Sequence, residues 1–367
     1  MAQIEAISSV ARIAMYAIWM ALTGYMILCH RGKVVLGGAG KLMVTLFALL
    51  AVICIVLSVF QGTHLNSSYL AALPIPILVY IVSYNLLNGF TREVINKLAI
   101  VYIWCTVALA VVLLVTYVPS YQAWMQAETY IMTQKNSAAQ IFISAAFLAW
   151  FFVEKKTIFY KILYLIVGAI LCVATAVFQC RTALLGLCLA LGVYVLYYAK
   201  RKGLILFLII LAAGYCISND TIWGFFQQAL MLEKYNSADL NTISSGRIGF
   251  YLEAFQAFES HVFFGTGIYH VDDLYICILA ELGLVGMVCI LPMWIQRIWL
   301  TVRGMRNKED CLRKTLVLLT AFYFVESLLE RLPPFGPGVC SFMFWILSAF
   351  LDTEDDAIQL EECKTSC

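Results

Sequence analysis

Long apolar stretches without a single charge recur from one end of this chain to the other. Residues 182–198, for example, contain no Asp, Glu, Lys or Arg. About 20 consecutive apolar residues suffice for an α-helix to cross the hydrocarbon core of a bilayer. Charged residues make up only 13% of the chain, whereas soluble domains carry about a quarter. The sequence therefore predicts an all-α, polytopic integral membrane helix bundle that forms one membrane domain over residues 1–367.

We predict eleven membrane spans, with ten or twelve as alternatives. Two of the loops that connect the predicted spans are long: residues 119–137 after span four, and residues 218–272 after span eight. The apolar run Ile13–Cys29 lacks a small-residue cleavage site, so we expect a retained span and not a signal peptide. Residues 352–367 read as an acidic tail. The predicted spans are 10–29, 42–60, 69–88, 98–118, 138–153, 160–178, 182–199, 203–217, 273–296, 315–330 and 336–351.

Lys and Arg residues are distributed unevenly between alternate loops. The loops after odd-numbered spans, together with the C-terminal tail, hold eighteen of the 24 Lys and Arg residues, and the opposite side holds six. Lys and Arg concentrate in cytoplasmic loops of membrane proteins. The pattern predicts an external N-terminus, a cytoplasmic tail, and an external location for both long loops.

The few cations on the predicted external side stand close to helix starts. Lys135 precedes span five, Arg181 begins span seven, Arg247 begins a predicted short helix in the large loop, and Arg331 precedes span eleven. A helix N-terminus already carries partial positive charge, so an arginine there is favourable when both face an anion. Snorkelling towards lipid headgroups is the alternative for each residue. As a group they predict an external site for a phosphate or diphosphate.

A second polar group precedes and enters span nine. Asp273 or Asp272 suits the N-cap of that helix, and Asp272 and His270 are candidates for a base that takes a proton from a sugar hydroxyl. Glu281 lies about two turns inside the span, where a carboxylate is costly and usually functional. A structural alternative for Glu281 is an ion pair with a cation on a neighbouring helix.

Two further segments belong to the same predicted side. Residues 247–260 have the apolar spacing of an amphipathic helix at a membrane surface, with packing or sugar stacking as roles for its aromatic residues. Glu326 and Glu330 are four residues apart, on one face of predicted span ten and next to Arg331. An ion pair and a hydrogen bond to a substrate hydroxyl are both compatible with that position.

Four segments of the chain resemble the O-antigen polymerase and ligase superfamily, and a fifth does so more weakly. Their order, spacing and shared predicted location carry the resemblance, and the variant most resembled is a Wzy-type bacterial polysaccharide polymerase that makes capsule or exopolysaccharide. The segments are KNSAAQIF at 135–142, CRTALLGLCLAL at 180–191, SSGRIGFYLEAF with FFGTG at 244–267, DDLYICILAELGLVG at 272–286, and ESLLERLPPFGPG at 326–338.

The resemblance implies a membrane-embedded, GT-C-like glycosyltransferase that inverts configuration and needs neither a metal nor a cofactor. Its donor and acceptor would be undecaprenyl-diphosphate-linked glycans on the external face of the bacterial cytoplasmic membrane, with a chain-length regulator and a flippase as partners. The diphosphate-binding residues of the family correspond to Arg181 and Arg247, and less closely to Lys135 and Arg331. The family often has His-Asn where this chain has Asp272-Asp273, which argues against a ligase.

Other classes of protein stay open at this point. A transporter or flippase often shows inverted repeats and broken helices, whereas this sequence shows no repeat and keeps most charges at the membrane rim. A peptidoglycan-synthesising polymerase would use the same lipid carrier, but its motif pattern is not evident. A membrane scaffold would leave the external cations unexplained. The net charge of +2 argues against a nucleic-acid surface, and 13 cysteines without a CxxC pair give no zinc or redox motif.

Overall fold

The computed structural model describes residues 5–117, 135–155, 157–230, 241, 244, 246–336 and 338–365. Every regular element along these residues is helical. The predicted loop 119–137 lies outside them except for its last three residues, which begin a helix. In the predicted loop 218–272, residues 231–240, 242, 243 and 245 lie outside them as well.

The helices fall where the apolar stretches predict them, and each of the eleven predicted spans coincides with one or more helices. The predicted helix of the large loop begins at Arg247 as expected, and the predicted acidic tail continues the last helix. The α-helices are α1 (Glu5–Cys29), α2 (Gly38–Gln61), α3 (Ser68–Ala72), α4 (Pro74–Leu87), α5 (Arg92–Tyr117), α6 (Lys135–Lys155), α7 (Ile158–Val177), α8 (Arg181–Val193), α9 (Lys202–Ser218), α10 (Asp220–Ala229), α11 (Arg247–Ser260), α12 (Leu274–Gly304), α13 (Cys311–Leu329) and α14 (Phe342–Thr365).

Fewer helices have the length and hydropathy of a membrane span than the eleven predicted. Among the described residues six qualify, with α3 and α4 taken together, and a seventh is added if α9 and α10, which meet at a bend of 97°, count as one span. Helix α13 contains Arg313, Lys314 and Glu326, and acidic residues fill the second half of α14. The count of eleven was therefore too high by this measure, whereas the class, a multi-pass α-helical membrane protein, is confirmed.

The chain forms two compact units, and each is described by itself. The first unit comprises Met1–Leu98, Phe250–Arg306 and Ser327–Cys367, and the second comprises Ala99–Gly249 and Asn307–Glu326. Both units are assembled from segments far apart in sequence. The residues predicted to form a functional site are consequently divided between the two.

Helices α2, α4, α12 and α14 pack together in the first unit. Large aromatic side chains fill the space between them: the ring centroids of Trp294 and Phe344 lie 6.1 Å apart, and those of Tyr80 and Trp345 lie 6.4 Å apart. Buried aromatic residues of this size supply most of the apolar contact area in a core. The contact between Trp294 and Phe344 packs α12 against α14.

Segments predicted on the same side of the membrane meet at the same end of the first unit. At one end, Asn85 exchanges hydrogen bonds of 2.9 Å with the backbone of Val35, and Arg92 binds Glu354 at 2.7 Å. At the other end, the segments around residues 63–68, 262–270 and 331 come together. Both groupings agree with the alternation of loops expected from the Lys and Arg pattern.

The second unit has a core in which helix α8 approaches α13 closely. A Cβ atom added at Gly186 would lie 2.7 Å from the ring of Phe322, so only glycine permits this approach. The ring of Phe147 lies 6.3 Å from Phe322, and Phe142 lies 6.2 Å from Phe178. The glycine within the motif CRTALLGLCLAL is thus explained by helix packing.

Candidate functional site

Helix α12 is interrupted one third of the way along by Gly283, whose φ and ψ are 64° and −158°. An interruption leaves backbone groups without intrahelical partners, and these groups are costly in a membrane protein unless other atoms satisfy them. The preceding segment 262–267 does so: Thr266 and Gly267 donate their N–H groups to Ala280 O and Glu281 O at 2.9 and 2.8 Å. Beyond the break, the N–H groups of residues 284 and 285 donate to the carbonyls of residues 262 and 263.

Two glycines allow this exchange of backbone hydrogen bonds. A Cβ atom at Gly265 would lie 2.5 Å from the backbone of Glu281, and one at Gly283 would lie 2.5 Å from the backbone of Phe263. Both glycines also have positive φ, a conformation that other residues adopt only with strain. The motifs FFGTG and ELGLVG therefore form one structural element, in which a loop fills the gap in a broken helix.

Glu281 stands at this break and is fully buried. Its Oε1 accepts hydrogen bonds from Ser67 Oγ at 2.7 Å and from Ser68 N at 2.5 Å. Its Oε2 accepts from Ser68 Oγ at 2.8 Å and from Arg331 Nη2 at 2.9 Å. A buried carboxylate requires a cation and several donors, and here it has both. Glu281 forms the ion pair given as the structural alternative, but its partner Arg331 lies just beyond the end of α13 and not on a helix.

Arg331 connects the buried carboxylate to the surface of the unit. While Nη2 binds Glu281, Nη1 donates to Nδ1 of His270 at 2.5 Å. The side chain of Arg331 is 19% exposed, and His270 is exposed. Burial alone would lower the pKa of Arg331, but the proximity of Cys277 and Glu281 and the hydrogen bond to Glu281 give a raised pKa, so Arg331 is cationic at every physiological pH.

The two aspartates before α12 have different surroundings. Asp273 is the N-cap, because its side chain accepts a hydrogen bond of 2.8 Å from Ile276 N. The backbone carbonyl of Asp272 accepts from the hydroxyl of Tyr251 on α11 at 3.0 Å, and its side chain is partly exposed. The predicted N-cap role therefore belongs to Asp273, and one aromatic residue of α11 contacts the segment that carries Asp272.

Lys135 and Arg181 meet at one turn of the second unit. Lys135 Nζ donates to the carbonyl of Gln179 at 3.4 Å, and the same carbonyl accepts from Arg181 N at 3.2 Å. Gln179 has a φ of 54°, which turns the backbone between α7 and α8. Arg181 begins α8 as predicted. The structure therefore brings the ammonium group of Lys135 to the turn at which Arg181 begins α8.

A second buried carboxylate, Glu326, lies in the same unit. Gln140 Nε2 donates to Glu326 Oε2 at 2.7 Å, and both side chains are buried. The prediction that Glu326 and Glu330 share one face of a helix is wrong, because α13 ends at Leu329 and Glu330 lies beyond it. The two glutamates also belong to different compact units.

Arg247 opens α11 within the second unit. Its backbone N–H donates to Ser244 O at 3.4 Å, and Asn241 Oδ1 accepts from Gly249 N at 3.0 Å. The side chain of Asn241 thus helps to start the helix. The expected role of Arg247 in binding a diphosphate stays a prediction.

Ser67, Ser68, Gln140 and Gln179 were missed by the sequence analysis. Ser67 and Ser68 lie at the start of a helix, where serine is common as a cap, and nothing local distinguishes a cap from a partner of a distant carboxylate. Their link to Glu281 spans 214 residues. Within the described part of the chain no three His, Cys, Asp or Glu side chains gather as a metal site would require.

The fold and the site together define a multi-pass helical membrane protein with a broken helix whose buried Glu281 is paired with Arg331 at one end of a compact unit. Residues 177–291 match the family model described as O-antigen ligase. The match confirms the predicted resemblance to the O-antigen polymerase and ligase superfamily and supports membrane glycan processing of that type. It includes Arg181, Arg247, His270 and Glu281, and Arg331 lies beyond it. Among curated proteins no match was found.

Proposed function

We propose that this protein polymerises undecaprenyl-diphosphate-linked oligosaccharide repeat units into a surface polysaccharide on the external face of the bacterial cytoplasmic membrane. The observation that carries the proposal is the position of the family match, which covers two arginines at helix starts and the broken helix with Glu281. Helix starts and arginines both favour an anion. A lipid-linked diphosphate is the anion that glycan assembly of this type offers.

The proposed chemistry is transfer of a glycan from its diphosphate to a hydroxyl of the next repeat unit. The anomeric carbon–oxygen bond to the diphosphate breaks while the acceptor oxygen attacks from the opposite face, so the configuration inverts. The acceptor proton leaves to a base, for which Asp272 is a candidate. Negative charge grows on the departing diphosphate, and preorganised cations stabilise that charge more in the transition state than in the ground state. Lys135 and Arg181, which share the Gln179 turn, are proposed to do this.

Transfer to a terminal lipid or protein acceptor is the second candidate, because the matching family model is described as O-antigen ligase. Polymerase and ligase share the donor and differ in the acceptor. The presence of Asp272-Asp273 in place of the His-Asn common in the family favours the polymerase. A flippase is a third candidate, since the break at Gly283 and the bend between α9 and α10 are features that transporters also have.

The experiment is a size-resolved profile of surface glycan and lipid-linked intermediates from a deletion strain. The strain is complemented with the wild-type chain, with Arg181→Ala, or with Lys200→Ala as the matched control, since Lys200 is an exposed cation at the far end of the segment that begins with α8. We expect the deletion strain and the Arg181→Ala strain to export single repeat units, and the Lys200→Ala strain to make full-length glycan.

Other profiles identify the other candidates. Full-length glycan retained on the lipid carrier in the deletion strain would mean a ligase. Repeat units trapped on the cytoplasmic side would mean a flippase, and the proposed role of the external cations would be wrong. Full-length glycan with the Arg181→Ala variant would remove Arg181 from the mechanism and leave the class of enzyme to be judged from the deletion strain.

A further inference from the structure

A chain of polar contacts leads from the buried break of α12 to the surface of the first unit. It begins at Ser67 and Ser68, passes through Glu281 and Arg331, and ends at the exposed imidazole of His270. Each contact is 2.9 Å or shorter along the path given by Ser67 Oγ, Glu281, Arg331 Nη2 and Nη1, and His270 Nδ1. Of these residues His270 is the most exposed, whereas Ser67 and Glu281 are buried.

The direction of the last hydrogen bond is fixed by chemistry. A guanidinium group has five N–H donors and no acceptor, and it does not lose its proton in proteins. Nδ1 of His270 must therefore accept the hydrogen bond from Arg331 Nη1. An imidazole whose Nδ1 accepts carries its single proton on Nε2, since the hydrogen bond at one ring nitrogen determines which nitrogen is protonated.

We infer that His270 acts as a neutral Nε2–H donor to an oxygen of the anionic diphosphate, and not as the base that deprotonates the acceptor. Arg331 is then a positioning residue: it holds the imidazole in the Nε2–H tautomer while Glu281 holds Arg331. The inference rests on the proposed function for the identity of the anion, and it changes the role expected for His270 from base to donor and that of Arg331 from diphosphate ligand to positioning residue.

The opposite arrangement is the familiar one for a catalytic base. When a carboxylate accepts from Nδ1–H, Nε2 keeps a free lone pair and can take a proton. Here a cation occupies Nδ1, so Nε2 has a proton to give and no lone pair to offer. To act as a base, His270 would first have to leave Arg331, which would uncover a guanidinium that Glu281 alone then partners.

The positive charge of Arg331 is also largely neutralised within the protein by Glu281. Glu281 lies 2.9 Å from Nη2 and is fully buried, so the pair carries little net charge towards a ligand. An exposed N–H of His270 next to this pair gives a directed hydrogen bond to an anion without placing another full positive charge beside Arg331. The geometry thus favours one donor at a defined position over a diffuse cationic surface.

The tautomer is measured directly by solid-state ¹⁵N NMR of the full chain in bilayers, with label only at histidine. The chain has four histidines, and a spectrum of the His270→Gln variant assigns the signals of His270. At pH 7.5 we expect a non-protonated Nδ1 and a protonated Nε2. A protonated Nδ1, or protons on both ring nitrogens, would overturn the inference whatever reaction the protein catalyses.

Binding of undecaprenyl diphosphate to the purified full chain measures the donor role separately. Glutamine keeps an amide N–H near the position of Nε2 but has no titratable group. We expect His270→Gln to bind within roughly threefold of the wild type, and His270→Ala to bind about 10- to 100-fold more weakly, as loss of one hydrogen bond to a charged group implies. His261→Gln, at an exposed histidine outside this chain of contacts, is the matched control and should bind normally.

The glycan assay separates a donor from a base. A donor role predicts that His270→Gln restores elongation that His270→Ala loses, with the same pH profile as the wild type. A base role predicts that both variants lose elongation equally while the binding of undecaprenyl diphosphate is unchanged, and that result would overturn the inference. If the deletion strain shows no defect in elongation, the proposed function fails, whereas the NMR result for His270 stands or falls independently.

Discussion

Two arginine–carboxylate pairs in the described part of the first unit, one towards each end of α12, are built differently. Arg297 binds Asp352 with two hydrogen bonds of 2.8 and 3.1 Å, and its side chain is 4% exposed. Tyr80 adds a third hydrogen bond to Asp352 at 2.6 Å. Arg331 binds Glu281 through one nitrogen and extends its other nitrogen to the exposed His270.

The difference separates a pair that is enclosed within the unit from one whose contacts continue to an exposed side chain. Glu281 and Arg297 are sixteen positions apart along α12, on opposite sides of the break at Gly283. Both terminal nitrogens of Arg297 bind Asp352, and the pair links α12 to α14. The pair of Arg331 lies beside the helix break, where the loop 262–267 and the exposed His270 give it contact with the surface. The same two functional groups thus link α12 to α14 at one end and contact the exposed His270 at the other.

The largest loss of stability is expected when Arg297 is removed from its pair with Asp352. Arg297→Met leaves Asp352 buried without its cation, and removal of one partner of a buried pair costs about 3–5 kcal/mol. We expect a large loss of thermal stability of the detergent-solubilised chain. Size-exclusion chromatography after heating measures this loss. Arg303→Met, at an exposed arginine on the same helix, is the control. The double variant Arg297→Met with Asp352→Leu should regain most of the stability, and failure to do so would refute the structural role.

Replacing the glycine at the helix break should cause the next largest loss of stability. Gly283→Ala places a Cβ atom 2.5 Å from the backbone of Phe263 at a φ of 64°, so strain and overpacking together cost about 2–4 kcal/mol. Gly192→Ala is the matched control, because nothing lies within 4 Å of its added Cβ and alanine is favoured in a helix by about 0.5–1 kcal/mol. Equal melting temperatures for the two variants would show that the break does not need glycine.

The same chemical change made in both pairs distinguishes them most directly. Glu281→Gln and Asp352→Asn each remove a charge with little change of shape. Because the amide oxygen can still accept a hydrogen bond from the arginine, each should cost less than Arg297→Met, about 1–3 kcal/mol of stability. Only Glu281→Gln should also lower glycan elongation per folded molecule, by roughly tenfold or more, because it releases Arg331 and His270. An equal reduction of elongation by Asp352→Asn, after correction for folded protein, would contradict the distinction between the two pairs.

The smallest expected effect is a pH dependence of stability that arises from His64, at the same end of the first unit as the helix break. His64 is fully buried, and burial, together with the neighbouring His261, lowers the pKa of His64. A histidine whose folded pKa lies below its unfolded value, about 6.5, favours folding while it is neutral, so stability falls as the pH drops below that value. We expect the melting temperature to decrease between pH 7.5 and pH 5.5, and His64→Gln to reduce that decrease. An identical slope in the variant would assign the pH dependence to other groups.

Local features of the chain were determined by the sequence itself. Apolar stretches predicted every membrane helix, and Arg181, Arg247 and Asp273 stand at helix starts as expected. Helix formation and capping depend on residues within a few positions of one another, so a single sequence is sufficient to predict them. The number of spans was overestimated because apolar length alone does not separate a membrane span from a shorter helix that carries buried charge.

The tertiary structure decided which polar groups meet. A glutamate inside a membrane helix needs a partner, but its sequence context does not say whether that partner is Arg331, Ser68 or a residue such as Gln140, which pairs with Glu326 instead. The contact of His270 likewise involves a neighbour 61 positions away. Such pairings follow from which helices lie side by side and at what height. Those relations arise only when the whole chain has packed.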